Sequence, residues 1–203
     1  MANPNFNIVL VGESFPINAV DVEDFDFMGE QVQEILRIPI ALEAQAGDFR
    51  LSANPQRFQI AASNVTQLSQ ELHIVKYNAK IFLDYVGRRT VTAVGHNFQF
   101  SLPIKDDGAP FSSLVNYNAI NLLMDTPFLV QVAIDVSFRS SDGTPIKLRT
   151  FPPDGNEMLL DLNYHFDIGK TKQFTNAEDA IDTIDNSFDK ANDLVRRFAE
   201  HLE

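Results

Sequence analysis

Asp161, Asn163, His165 and Asp167 occupy alternate positions, with Leu160, Leu162, Tyr164, Phe166 and Ile168 filling the places between and around them. A two-residue period belongs to a β-strand, so the polar set shares one face and the apolar set the other. Imidazole and carboxylates on one face could bind a divalent metal or relay a proton. Asp135 and Gln131, on a strand expected alongside, could join them. Asp161, His165, Asp167 and Asp135 are therefore the ligand or metal candidates. The plainer reading is a solvated strand face, because alternation alone produces the same residues. No residue is assigned a catalytic role, and neither a metal nor a cofactor is expected.

Other reactive groupings do not occur in the sequence. There is no G-x-S-x-G, no G-x-x-x-x-G-K-[ST], no G-x-G-x-x-G and no H-E-x-x-H. The absence of cysteine excludes disulfides, thiol nucleophiles and thiolate metal sites. His96 lies among Val94, Phe98 and Phe100, which points to a hydrogen-bonded core or edge residue rather than a ligand. His73 reads as surface, and His201 lies near the chain end. Arg88 and Arg89, at a helix exit, are explained by the macrodipole and are too short a run for a nucleic-acid patch.

These side chains need elements to hold them. Val65, Leu68, Leu72, Val75, Ala79, Phe82 and Val86 recur at steps of three and four, predicting a helix over 64–89 with Asn64 as N-cap and Gly87 just past its end. Ile74, Ile81 and Tyr85 widen its apolar surface; left uncovered by the rest of the chain, they would form a partner surface. A second stripe, Ala177, Ile181, Ile184, Phe188, Ala191, Val195, Phe198 and Leu202, predicts a helix running to the C-terminus, with Thr175 and Glu178 as its capping box. Strands are expected at 5–12, as three short runs within 38–62, at 90–102, 128–138 and 158–168, with a return through Ile146 and Leu148. Residues 13–28 read as an irregular Phe-rich segment, 29–37 as a short helix using Val32, Ile35 and Leu36, and 103–126 as a connection with a weak helix after Pro110. A turn is expected at Pro152–Gly155.

The order of elements then suggests kinship. Arg57-Phe58-Gln59-Ile60, a long helix, Val91-Thr92-Ala93-Val94-Gly95-His96-Asn97-Phe98 and the late Leu160-Asp161-Leu162 strand resemble a sporadically distributed family of uncharacterised bacterial proteins. That resemblance implies architecture only. The expectation is one α+β domain over 1–203, an antiparallel sheet of six to eight strands packed against two long amphipathic helices, the second C-terminal. Within it, 1–37 would be a first strand and an irregular segment, 38–126 strands, long helix and strand, and 127–203 a meander and the C-terminal helix.

A formal charge of −12 works against non-specific binding to nucleic acid or anionic lipid. Phe98, Phe100, Phe128, Phe138 and Phe166 fall at inward positions, as core rather than as a base-stacking platform. No run approaches the length of a membrane span, so a cytoplasmic protein is expected. The function expected is a non-catalytic protein-binding or assembly module, with a protein partner or self-association and no nucleic acid. Its rivals are a small-ligand or metal-binding protein or enzyme using the polar strand face, and an acidic inhibitor of a basic nucleic-acid-binding protein acting through Asp182–Asp193.

Overall fold

The computed structural model describes residues 3–87, 90–103, 135–140, 142–150, 157–170 and 174–200. Among them nine strands form one sheet: β1 Asn5–Gly12, β2 Gln33–Ile38, β3 Ala41–Ala46, β4 Phe49–Asn54, β5 Arg57–Ala62, β6 Val91–Pro103, β7 Asp135–Arg139, β8 Pro145–Thr150 and β9 Glu157–Asp167. The order across the sheet is β2-β3-β4-β5-β1-β6-β9-β8-β7, and every neighbouring pair is antiparallel. Helices α1 Leu68–Val86, α2 Ala177–Asp182 and α3 Ile184–Glu200 complete an α+β fold.

β1 sits at the centre because it is apolar on both sides. Phe6, Ile8 and Leu10 are buried on the face that carries the helices, and Val9 is buried on the other. α1 packs over β5 and β1, and α2 and α3 over β6. Benzyl rings fill the space between: Phe58 stacks on Phe82 at 3.9 Å, and Phe15 meets Phe82 edge-on at 5.2 Å. Burying each such ring contributes about 1.5–3 kcal/mol.

Residues 13–28 form a strap along one flank of α1. Phe15, Ile17, Val20, Phe25 and Phe27 point inward and are buried. Asn78, fully buried in α1, fastens the strap from above. Its Oδ1 accepts from the Asp26 backbone N–H at 2.8 Å, and its Nδ2 donates to the Asp26 carbonyl at 2.7 Å. On the opposite flank Lys76 reaches Asp185 and Lys80 reaches Asp182, tying α1 to α2 and α3.

Several sequence expectations change. The helix proposed for 29–37 is instead the edge strand β2, paired through Arg37 with Leu42 and Ile38 with Ala41. The spacing of Val32, Ile35 and Leu36 fits a helix locally, but pairing with β3 and the turn at Pro39 and Ile40 overrides it. Asn64 does not cap α1; it lies at φ 53, and the helix begins at Leu68. Glu71 in the first turn takes over, its Oε1 accepting from the backbone N–H of Thr66 and of Gln67, both at 3.0 Å. At the C-terminal helix the cap is Asn176, accepting from Asp179 N–H at 2.8 Å, one residue after Thr175. The stripe is divided at Thr183, whose hydroxyl donates to the Ala180 carbonyl at 2.7 Å and so competes with the helix ladder. The expected helix after Pro110, Gln131 with most of the 128–138 strand, the Pro152–Gly155 turn, Arg88, Arg89 and His201 lie outside the described residues.

Candidate functional site

The face of the sheet away from the helices is open and polar, and the register lays it out in rows. Gln99, Asp161, Arg149 and Asp135 stand directly beside one another across β6, β9, β8 and β7. The next row is Asn7, Asn97, Asn163 and Lys147. Here the carboxamides form a chain: Asn163 donates to Asn97, and Asn97 Nδ2 donates to Asn7 Oδ1 at 2.6 Å. Arg57, Gln59 and Ala61 close the far side, and together these residues line an open groove of about 430 Å³.

Each candidate from the sequence can now be placed. Asp161 is half-buried in the groove, where Gln99 Nε2 donates to its Oδ1 at 2.9 Å. Burial pushes its carboxyl up from the ordinary carboxylate value, against the Gln99 hydrogen bond and the nearby charge of Arg149. Asp135 is not next to it, because β8 intervenes. It pairs instead with Lys147 and Arg149, each at 3.0 Å, and their hydrogen bonds hold its carboxyl below the ordinary value. His165 lies four residues along β9 from Asp161, about 13 Å at the strand rise, and its neighbour is Asp167 at 3.5 Å. A shared strand face therefore spreads these groups in a line instead of converging them. Among the described residues no group of three or more His, Asp or Glu has the geometry to hold a metal ion.

The wide flank of α1 is covered within the chain, so the condition for a partner surface there is not met at Ile74, which is buried. Ile81 is half-buried against the core and the Tyr85 hydroxyl bonds to Asp24 in the strap. These residues and Asn78 lie on one helical stripe, and the strap runs along it. Three aspartates of the acidic run in the last helices pair within the chain: Asp182 with Lys80, Asp185 with Lys76, and Asp193 with Arg196 and Arg197.

His96 is completely buried. Its Nδ1 lies 2.9 Å from Ser187 Oγ on α3, and its Nε2 has no hydrogen-bond partner among the described residues. A histidine beside a serine suggests nucleophilic chemistry, but both side chains are buried between sheet and helix. Desolvation lowers the His96 pKa to about 3, so the ring is neutral.

A different surface escaped the sequence reading. Every residue of β2 is exposed, and β2 ends the strand order. Ile35 is 56% exposed, Leu36 37%, Ile38 42% and the following Ile40 64%. Leu36 and Ile38 pair with Glu43 and Ala41, which places them on the open face. Arg37 lies on the helix side, where it bonds to Glu34 and to the Val20 carbonyl. The residues were readable as apolar; their exposure was hidden by the expectation of a helix. Comparison of the chain with protein-family models and with curated proteins gives no match.

Proposed function

We propose that this chain is a non-catalytic protein-binding or assembly module that takes up an extended strand along the outer edge of β2. One observation carries the reading: β2, exposed along its whole length, presents an edge of backbone N–H and C=O groups that pairs with no other strand among the described residues, together with Ile35, Leu36 and Ile38. Main-chain pairing supplies affinity and alternate side chains supply selectivity in such docking. The scattered candidates on the open face, with His165 remote from Asp161, favour this reading over an enzyme. Among the described residues the register places no Phe or Tyr on that face, which leaves bases without an aromatic ring to stack on there. The lack of cysteine is in keeping with a reducing compartment, and the cytoplasm is the proposed place of action. Among the described residues no helix is long and apolar enough to cross a membrane.

The test compares the wild type with Leu36→Lys/Ile38→Lys, both exposed positions, as baits for proteins of the native host. A partner held by the wild type and lost from the double variant is expected. A partner retained by the variant in full would overturn the assignment to β2. A second reading, a small polar ligand in the groove, is favoured by the carboxamide chain and the half-buried Asp161. There Asn97→Ala would abolish binding of the ligand and leave the β2 interaction intact.

A further inference from the structure

The partner chemistry that β2 fits best is its own. The inference rests on the edge-strand reading above and names the occupant. The β2–β3 register shifts between Glu34 and Leu36, so Ile35 is the extra residue of a bulge. With Ile35 set aside, Gln33, Leu36 and Ile38 face the open side, whereas Glu34 and Arg37 face the helix side. This order reads the same in either direction about Leu36, apart from charges that are opposite. An antiparallel copy related by a two-fold axis through Leu36 therefore sets Leu36 against the partner's Leu36. On the other side Glu34 comes opposite the partner's Arg37, and Arg37 opposite the partner's Glu34.

We propose that two copies of this chain join edge to edge along β2 in this register, extending the sheet across the dimer axis. Three observations converge. The backbone edge is unpaired among the described residues. The exposed side chains on one face, Gln33, Leu36 and Ile38, are uncharged, and on the other a Glu34–Arg37 ion pair at 2.6 Å leaves the strand without net charge. A chain of net charge −12 repels a copy of itself over most approaches, so a neutral, self-complementary edge is the place where two copies can meet. Opposite charges directly across an antiparallel pair stabilise it, and like charges oppose it. The two-fold arrangement is closed, because each β2 edge is used once and no filament follows.

Sedimentation equilibrium over a concentration series tests this with purified protein. The expected species has twice the 22.8 kDa mass of one chain. Leu36→Lys/Ile38→Lys is expected to be monomeric. Glu34→Arg alone and Arg37→Glu alone each set like charges across the axis twice and are expected to weaken the dimer about tenfold, roughly 1.4 kcal/mol. The double exchange Glu34→Arg/Arg37→Glu is expected to restore it. Register is read separately. The chain has no cysteine, and facing residues of an antiparallel pair lie about 4.5–5.5 Å apart at Cα, within disulfide range. Under copper phenanthroline Leu36→Cys is expected to cross-link to dimer, whereas Tyr77→Cys, exposed on α1, is not. A monomer at all concentrations, a dimer that survives Leu36→Lys/Ile38→Lys, or equal cross-linking at both cysteines would each overturn the proposal. Because the assay contains no other protein, its failure is distinct from the fate of a heterologous partner captured through β2.

Discussion

His96, bonded to Ser187, and Asn78, bonded to Asp26, are buried polar side chains that hold the helical layer to its surroundings. His96 is neutral because its pKa is lowered from 6.5 to about 3 by burial. The unfolded chain therefore takes up the proton first. The stability contributed by neutral His96 is complete above the unfolded pKa and is lost as pH falls from there towards the folded one. Between pH 8 and pH 5 this group alone should lower the unfolding free energy by about 2 kcal/mol. Urea titrations of wild type and His96→Leu at both pH values check this, and parallel pH dependences in the two proteins would sink it. Asn78 makes a different prediction. Asn78→Ala leaves the Asp26 N–H and carbonyl without their shared partner, so it should destabilise by about 2–4 kcal/mol in the same assay. A polar residue in the middle of a helix reads from sequence as a surface position. Only the fold reveals that a strap crosses there.

Elements differ in what fastens them. α2 and α3 are joined to α1 by lysine–carboxylate pairs and to the sheet by Ile181, Ile184, Ala191 and Val195, all buried. Exposed pairs contribute at most about 1 kcal/mol each, whereas emptying a buried isoleucine site costs about 2–5 kcal/mol. Ile181→Ala should therefore lower stability more than Lys76→Ala/Lys80→Ala combined, as measured by chemical denaturation. The strap is set by Gly12, where β1 shifts register and leaves the sheet. A Cβ there would sit 2.3 Å from the Thr90 carbonyl oxygen and 2.5 Å from the Phe15 ring. Since backbone cannot swing aside, Gly12→Ala should cost about 1–3 kcal/mol, visible as a lower thermal midpoint. β1, β6, β9 and the body of α1 were legible because their periodicity is long and matches their burial. β2 was not, because six residues carry too little periodicity to outvote a helical spacing of three apolar side chains.

At the scale of the molecule, the sheet has a covered face, an open face and an exposed apolar edge, and binding is proposed at the edge. Leu36→Lys/Ile38→Lys removes exposed apolar groups only, so it should change monomer stability by no more than about 0.5 kcal/mol. Equal denaturation midpoints, measured at a concentration where both proteins are monomeric, check this; a large loss would mean β2 is part of the core. Sequence by itself determined the α+β class, the inward faces of the long strands and the main apolar helix stripes, because a period of two or of three to four is a local property of the chain. It also determined that Asp161, Asn163, His165 and Asp167 share a face. Tertiary structure alone decided which strand lies beside which: β8 separates Asp161 from Asp135, the strap covers Ile74, and β2 is left at the rim. Pairing and cover depend on contacts between residues far apart in the chain, and no local period records them.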